Sequence, residues 1–115
     1  MNRGTTNLQL SRLIDLLRKK KKGIWLRIAE DLSKPARTRR VVNIFRLNRF
    51  SAKGETIVVP GKVLGDGNLN HSLTVAAFSF SKEAKSKIEK AGGKILSISE
   101  LVSKHPDGKG VKILG

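Results

Sequence analysis

Apolar side chains recur at helical spacing in the first third of the chain. The pattern predicts one helix over residues 5–23, ending at Gly23, and a second over residues 24–35, closed by Pro35. The apolar stripes are Leu10, Leu13, Ile14 and Leu17 in the first helix and Trp25, Ile28, Ala29 and Leu32 in the second. Two short helices that meet at a glycine predict a helical hairpin.

Residues 35–50 interleave basic and apolar side chains. The apolar positions predict an extended basic segment that leads into a short strand and then a helical turn. The residues expected to enter the core here are Val41, Val42, Ile44, Phe45, Leu47 and Phe50. Trp25 and all four phenylalanines are assigned to the core, which would leave few rings for contact with other molecules.

From Glu55 onward the chain predicts alternating strands and helices, which is typical of an α/β fold. Predicted strands span 56–60, 62–65, 73–80, 94–98 and 110–114, and predicted helices span 81–93 and 99–105. The strand at 73–80 is apolar almost throughout, so we expect burial on both of its faces. Ser81 and Ser99 are the predicted N-caps, and Glu83 is predicted to pair with Lys87.

The length predicts a single α/β domain over residues 1–115. We expect a basic helical arm at residues 1–50 and a mixed α/β core at residues 51–115. Lys and Arg number 24 against nine Asp and Glu, a formal net charge of +15. Residues 1–50 hold 14 of these cations, including all nine arginines, and three acidic residues. Because guanidinium groups bind phosphate bidentately, the first half is the predicted contact region for a nucleic acid.

Other partners have little support in the sequence. No apolar stretch approaches the ~20 residues that cross a bilayer, and neither terminus carries a lipidation signal, so we expect a cytoplasmic protein without a membrane partner. Cysteine is absent, and the two histidines, His71 and His105, lie far apart with no acidic cluster beside them. No metal ion or other cofactor is therefore expected.

The segment PGKVLGDG, residues 60–67, is rich in glycine and follows an apolar run, as phosphate-binding loops do. A Walker loop needs a hydroxyl after its lysine, whereas Val63 follows Lys62. The dinucleotide fingerprint needs a third glycine where Asn70 stands, and both motifs need a following helix where a strand is predicted. We interpret residues 65–67 as a turn joining strands, and no small-molecule substrate is expected.

No group of side chains predicts catalysis. The acidic residues of the second half fall in turns or on the exposed side of a helix, and Ser81 is better explained as a cap, so no enzyme is expected. One alternative is a free-standing DNA-binding or RNA-chaperone module that uses the helical hairpin. Against it, Glu30 and Asp31 near the end of the second helix would face the phosphates of a DNA groove unfavourably.

Two stretches resemble the large-subunit ribosomal protein eighteen-e family of archaea and eukaryotes, which is related to bacterial large-subunit protein fifteen. The first is DLSKPARTRRVVNIFRLNRF, residues 31–50, with KPAR and VVN as its signature. The second spans residues 54–102, and its most specific positions are Lys62, Val63, Leu64, Gly65, Gly67, Leu69, Phe80, Ser81, Ala84, Ile88 and Gly92. The resemblance covers nearly the whole chain, although RKKKKG and ARTRR are more basic than the family pattern requires.

The resemblance implies strand-strand-helix turns in an irregular superhelix behind a basic helical arm. It also implies an archaeal, structural, non-catalytic component of the ribosome that holds segments of large-subunit ribosomal RNA together beside neighbouring large-subunit proteins. The predicted RNA-binding residues are Arg12, Arg18, Lys19, Lys20, Lys21, Lys22, Arg27, Lys34, Arg37, Arg39, Arg40, Arg46, Arg49, Lys62 and His71. We expect recognition mainly of RNA shape, because few rings are predicted to be exposed.

Overall fold

The structure, a computed structural model, describes residues 4–35 and 39–114, and in these residues five helices surround a five-stranded sheet. In chain order the elements are α1 (Gly4–Lys19), α2 (Gly23–Leu32), β1 (Arg40–Asn43), α3 (Ile44–Arg49), β2 (Thr56–Leu64), β3 (Thr74–Phe80), α4 (Lys82–Lys90), β4 (Lys94–Ser97), α5 (Ile98–Lys104) and β5 (Val111–Ile113). The predicted α/β fold is confirmed. None of the described helices has the length and apolar character needed to cross a membrane.

Strand pairing among the described residues is parallel throughout, in the order β1-β2-β3-β4, with β5 beside β2. The first half of β2 pairs with β5 and its second half with β1, while β3 lies along the other edge. Strands β1 and β5 therefore lie end to end. Because the strands are parallel, β1, β3 and β4 end at the same side of the sheet, where α3, α4 and α5 begin.

Strand β2 is one nine-residue strand where two strands were predicted. Its register against β3 shifts between Val59 and Lys62, so a bulge at Pro60 and Gly61 bends the strand without ending it. A Cβ on Gly61 would overlap the backbone carbonyl of Arg40, so this glycine allows β1 to pair closely. The predicted turn at 65–67 is instead the start of a longer connection, residues 65–73, between two parallel strands.

The sheet is covered on both faces, and each face has its own hydrophobic cluster. Helices α1, α2 and α5 pack on the face that includes Val58 and Ala76. Helices α3 and α4 pack on the face that includes Val59, Val75 and Ala77. Strand β3 contributes to both clusters, as predicted from its apolar run. The apolar stripes predicted for the first two helices are confirmed, since all eight side chains lie in or against the first cluster.

The caps of α4 and α5 test the predicted helix boundaries. Ser81 caps α4 as predicted, and its Oγ accepts from the backbone N–H of Ala84 at 3.1 Å. The N-cap of α5 is Ser97, two residues before the predicted Ser99, so the assignment to Ser99 is wrong. Ser97 Oγ accepts from the backbone N–H of Glu100 at 3.1 Å, and the Glu100 carboxylate accepts from that of Ser97 at 2.8 Å. This reciprocal pair is a capping box.

Three side chains predicted to enter the core lie on the surface instead. Val41, Phe45 and Phe50 are 56%, 53% and 46% exposed. Helix α3 buries Ile44 and Leu47, and helical spacing turns residues 45, 46, 49 and 50 to the opposite side. The prediction that all four phenylalanines serve the core is therefore wrong, and two rings are available to other molecules.

Candidate nucleic-acid interface

One group of predicted contact residues is centred on Arg39. This residue lines two surface grooves, one of about 660 Å³ between α1 and the end of α2 and one of about 220 Å³ over β1 and β2. Arg18 and Lys34 line the first groove, and Arg40 and Lys62 line the second. We call these five residues the Arg39 cluster. Chain folding thus collects cations from α1, the segment after α2, β1 and β2 on one surface.

Arg39 is held in place by contacts with two other parts of the molecule. Its Nε–H donates to the backbone carbonyl of Lys34 at 3.2 Å. Its guanidinium carbon lies 5.5 Å from the centroid of the Phe78 ring on β3, which is a cation–π distance. The side chain still remains partly exposed. It is therefore a fixed cation at the surface, and binding would cost little additional side-chain entropy.

Lys62 lies on an open part of the sheet. It pairs with Val41 on β1 and with Ser79 on β3, and all three residues are exposed. Partners in register point to the same face of a sheet, so this row is a shallow solvent-facing strip. Lys62 is its only charged member, and a phosphate could approach it directly.

Asp31 lies beneath the Arg39 cluster as a buried carboxylate. Its side chain is 7% exposed, its Oδ1 is 3.3 Å from Nζ of Lys34, and its Oδ2 is 4.0 Å from Nε of Arg40. A buried carboxylate needs such cations, so Asp31 orients both of them from below. Because Asp31 is buried, its carboxylate does not face outward, whereas the sequence led us to expect that it would face the phosphates of a DNA groove. With Asp15 in the larger groove, two carboxylates oppose five cations, and the cluster stays positive.

A second group lies on the solvent side of α3. We call Phe45, Arg46, Arg49 and Phe50 the α3 face. The guanidinium carbons of Arg46 and Arg49 lie 5.4 and 5.7 Å from the centroid of the Phe50 ring. Flat rings beside guanidinium groups are the combination that single-stranded nucleic acids bind, through stacking and phosphate contacts. Sequence reasoning assigned the two rings to the core, although helical spacing from the buried Ile44 and Leu47 could have shown their exposure.

The remaining predicted cations are placed separately. Lys19 to Lys22 form the end of α1 and the turn into α2, where Lys21 has a positive φ of 55°. Arg12 lines a groove of about 400 Å³ between α1 and α5 that is otherwise mostly apolar. Arg27 is exposed on α2. The described contacts bring neither Arg12 nor Arg27 into the two groups, and Arg37 lies outside the described residues.

His71 is engaged inside the molecule. Its Nε2 lies 2.9 Å from the Ser51 hydroxyl, which itself donates to the backbone carbonyl of Leu47. Because that hydroxyl has a single proton, the imidazole is the donor in this pair. His71 therefore ties the connection after β2 to the end of α3, and a contact with RNA stays a prediction.

The glycine-rich connection after β2 binds an internal lysine. Nζ of Lys87, on α4, donates to the backbone carbonyls of Gly65 and Gly67 at 2.6 Å each. The same ammonium lies 3.5 Å from the Glu83 carboxylate. The Glu83 side chain packs so closely against Gly65 that a Cβ at residue 65 would lie 2.6 Å from Cβ and Cγ of Glu83 and 2.8 Å from its Oε1. A phosphate at this loop would meet carbonyl oxygens and a carboxylate. The arrangement therefore disfavours nucleotide binding.

The same connection also closes the amino end of α3. The backbone N–H of Phe45 donates to the carbonyl of Asp66 at 2.9 Å, and the N–H of Asp66 donates to Oδ1 of Asn43 at 3.3 Å. Gly67 has a φ of +104°, and a Cβ on it would lie 2.6 Å from the Phe45 nitrogen. Both positive φ and close approach require glycine here. The loop therefore positions the α3 face.

Helix α2 is poorly arranged as a DNA recognition helix. Five of its residues are buried, and its Trp25 Nε1–H donates to the backbone carbonyl of Pro106 at 2.8 Å. The exposed side chains between its ends are Leu26, Arg27 and Glu30, which include one cation and one anion. A helix that enters a major groove needs an exposed face of donors and cations.

Comparison with known proteins gives a consistent result. The sequence matches the protein family described as "Ribosomal protein 60S L18 and 50S L18e" over residues 9–115. Large ribosomal subunit protein eL18 of Sulfurisphaera tokodaii is 50% identical over 96% of this chain and 94% of that protein. The eL18 proteins of Sulfolobus acidocaldarius and Methanothermobacter thermautotrophicus are 51% and 47% identical, over 96% and 95% of this chain and 93% of each relative. The matched segment includes both groups of cations.

Proposed function

Because the chain belongs to the L18 and L18e family of large-subunit ribosomal proteins, we propose that its Arg39 cluster and α3 face bind large-subunit ribosomal RNA. The protein is a structural constituent of the large ribosomal subunit. The predicted family, the ribosomal role and the ribosomal location are confirmed. We further infer that the chain has no catalytic role and that it contacts neighbouring large-subunit proteins.

The observation that carries the proposal is the convergence of cations in the Arg39 cluster. Arg18, Arg39 and Lys62 come from three different parts of the chain and line two grooves that share one residue. Like charges brought together in this way repel one another in the free protein. A polyanion bound across the grooves removes that repulsion, and ribosomal RNA is the polyanion that this family's subunit contains.

The proposed mechanism is neutralisation of backbone phosphates along the two grooves of the Arg39 cluster, one between α1 and the end of α2 and one over β1 and β2. Each phosphate contact releases roughly 0.7 to 0.9 counterions, so affinity falls steeply with salt. Arg39 and Arg40 are oriented by Phe78 and Asp31, which reduces the entropy lost on binding. We propose that residues 1–50 supply most of the RNA contacts, to which Lys62 adds one from residues 51–115.

A matched pair of variants tests the site. Arg18→Ala, Arg39→Ala and Lys62→Ala together remove three cations of the Arg39 cluster, and Lys82→Ala, Lys85→Ala and Lys90→Ala remove three exposed cations of α4. We measure the affinity for large-subunit ribosomal RNA across a salt series. The first variant should lose about two units of the salt slope, whereas the α4 control should lose less than about one. Equal losses would remove the Arg39 cluster from the interface.

A second experiment tests the assembled state. Tagged chain in a cell lysate is sedimented through a sucrose gradient at low salt and again at high salt. We expect it to travel with the large subunit at low salt and to be released as salt rises, because the contacts are largely ionic. Recovery at the top of the low-salt gradient, or with chromosomal DNA, would contradict the proposal and favour a free-standing nucleic-acid-binding module.

A further inference from the structure

The α3 face places an open aromatic ring among cations. Phe50 is 46% exposed, and the guanidinium groups of Arg46 and Arg49 both lie over its ring. Nζ of Lys112 donates to the Phe50 backbone carbonyl at 2.8 Å and lies 3.9 Å from the Glu55 carboxylate. The nearby acid therefore has a cation of its own. Helix α3 itself contains no acidic residue.

This arrangement has a cost that folding alone does not explain. The two guanidinium groups lie close to the same ring and so repel each other, and Phe50 is exposed although α3 buries Ile44 and Leu47 completely. A flat π surface with positive charge around it fits a flat group that carries negative charge on its flanks. An unpaired nucleotide has that form, since its base offers a face and its two neighbouring phosphates offer charge.

A fully paired RNA helix does not fit as well. The bases of an A-form duplex are stacked on one another, and the major groove is too narrow for side chains to enter. A ring at the surface of α3 can therefore stack only on a base that has left its helix. The two guanidinium groups, within one turn of α3, can reach the phosphates on either side of such a base.

We propose that the α3 face binds an unpaired base of ribosomal RNA, which stacks on Phe50 while Arg46 and Arg49 bind the flanking phosphates. This inference rests on the proposed function and makes it more specific. To the recognition mainly of RNA shape that was expected from the sequence, it adds recognition of a bulged or looped nucleotide at one place on the surface.

The test compares two short RNA hairpins that differ only in one nucleotide: one is fully paired, and the other carries a single additional unpaired adenine in its stem. Fluorescence anisotropy gives the dissociation constant of the full chain for each hairpin at one fixed salt concentration. The unmodified chain should prefer the bulged hairpin by roughly 5- to 150-fold, the range that one stacked base contributes. Phe50→Leu should bring the preference close to one, and Phe50→Tyr should retain it.

Two controls keep the result interpretable. The salt slope should be the same for the unmodified chain and Phe50→Leu, since no charge is removed, and thermal unfolding should show that both variants fold. Arg27→Ala, which removes an exposed arginine of α2, should weaken the binding of both hairpins by the same factor.

The alternative outcomes are distinguishable. Equal, salt-dependent binding of both hairpins by the unmodified chain would overturn the inference and leave the proposed function standing. A preference that survives in Phe50→Leu would also overturn it. Failure to bind either hairpin, or ribosomal RNA, at low salt would overturn the proposed function and the inference together. A photocrosslink from position 50 to a protein in assembled subunits would show that the face serves a protein partner instead.

Discussion

Helices α3 and α5 begin in the same way, yet they present opposite chemistry to solvent. Each follows its strand without a loop, from an extended N-cap residue with ψ of 161°, Asn43 or Ser97. Each then buries an isoleucine at its first position and a leucine at its fourth. The two helices cover opposite faces of the sheet. The difference between them therefore lies in the caps and the exposed positions.

Helix α5 caps itself. Ser97 and Glu100 exchange hydrogen bonds between side chain and backbone, which closes the helix with residues of its own first turn. Helix α3 is capped from outside: the Asp66 carbonyl accepts from the Phe45 N–H, and the Asp66 N–H donates to Asn43. The glycine-rich connection thus performs for α3 what a local serine and glutamate perform for α5.

The comparison of α3 with α5 explains why the first turn of α3 is available for binding. A capping box such as that of α5 needs a serine or threonine at the N-cap and a glutamate or glutamine at the third helical position. With its cap supplied by residue 66, α3 has no such requirement, and Phe45 and Arg46 stand where α5 has Ser99 and Glu100. The glycines of the connection, which suggested a phosphate site in the sequence, therefore position α3, whose exposed face is the proposed RNA-binding surface.

The largest expected effect tests the feature that α3 and α5 share, which is a buried leucine at the fourth position of each helix. Leu47→Ala and Leu101→Ala should each lower the free energy of unfolding by about 2 to 5 kcal/mol, since both side chains are fully buried. Chemical denaturation of the two variants measures this. A cost below about 1 kcal/mol for Leu47→Ala alone would mean that α3 is not packed as α5 is.

The next effect concerns the cap that comes from the loop. Gly67→Ala should cost about 1 to 3 kcal/mol more than Gly110→Ala, because both glycines have positive φ but only Gly67 is crowded, by Phe45. Hydrogen exchange should show lost protection at the Phe45 amide and unchanged protection at the Glu100 amide. Equal protection losses at both amides would contradict the separate capping of the two helices.

Reversing the charge at the third position of α3 separates the effect of that residue on the free energy of unfolding from its effect on RNA affinity. Arg46→Glu places in α3 the residue that α5 has at the same position, so the free energy of unfolding should stay the same or rise by a few tenths of a kcal/mol. The affinity for ribosomal RNA should fall by about 1.5 to 3 kcal/mol, the value of a charge-assisted contact. Lys104→Glu on α5 is the control, and a loss of affinity as large as that of Arg46→Glu would show that the α3 face has no special role.

The smallest effect is a pH dependence from Glu100 on α5. Hydrogen bonds from the Ser97 backbone N–H and, secondarily, from its hydroxyl hold the pKa of Glu100 below its usual value of 4.5. Because the folded pKa is depressed, this contribution is present above pH 4.5 and is lost as pH falls through the folded pKa. Glu100→Gln keeps a capping side chain that does not titrate, so the stability difference between the unmodified chain and this variant should shrink below pH 4.5. A constant difference would contradict the capping box.

Local patterns predicted much of the fold. Apolar spacing identified α1, α2 and the strand buried on both faces, and Ser81 identified the start of α4. The Ser97–Glu100 pair was also visible in the sequence, as serine and glutamate three residues apart, but the predicted cap, Ser99, lies two positions too late. Where the relevant residues are neighbours in the chain, the sequence is sufficient to predict the feature, and the cap of α5 could also have been predicted from it.

Features that depend on distant residues could not be predicted in the same way. The continuity of β2 depends on the Arg40 carbonyl beside Gly61, and the conformation of the glycine-rich connection depends on Lys87, about 20 residues away. The Arg39 cluster requires α1, β1 and β2 to be folded together. The cations themselves are evident in the sequence, whereas their grouping follows from the folding of distant elements. The exposure of Phe45 and Phe50 follows from the packing of α3 on the sheet.

The most direct test compares α3 and α5 at their matched second positions. A photoreactive phenylalanine derivative is placed at Phe45 in one variant and at Ser99 in another, both exposed, and assembled large subunits are irradiated. The account predicts that position 45 crosslinks to ribosomal RNA several-fold more than position 99 does. Equal crosslinking from both positions, or more from position 99, would contradict the claim that α3 provides the interface and α5 does not.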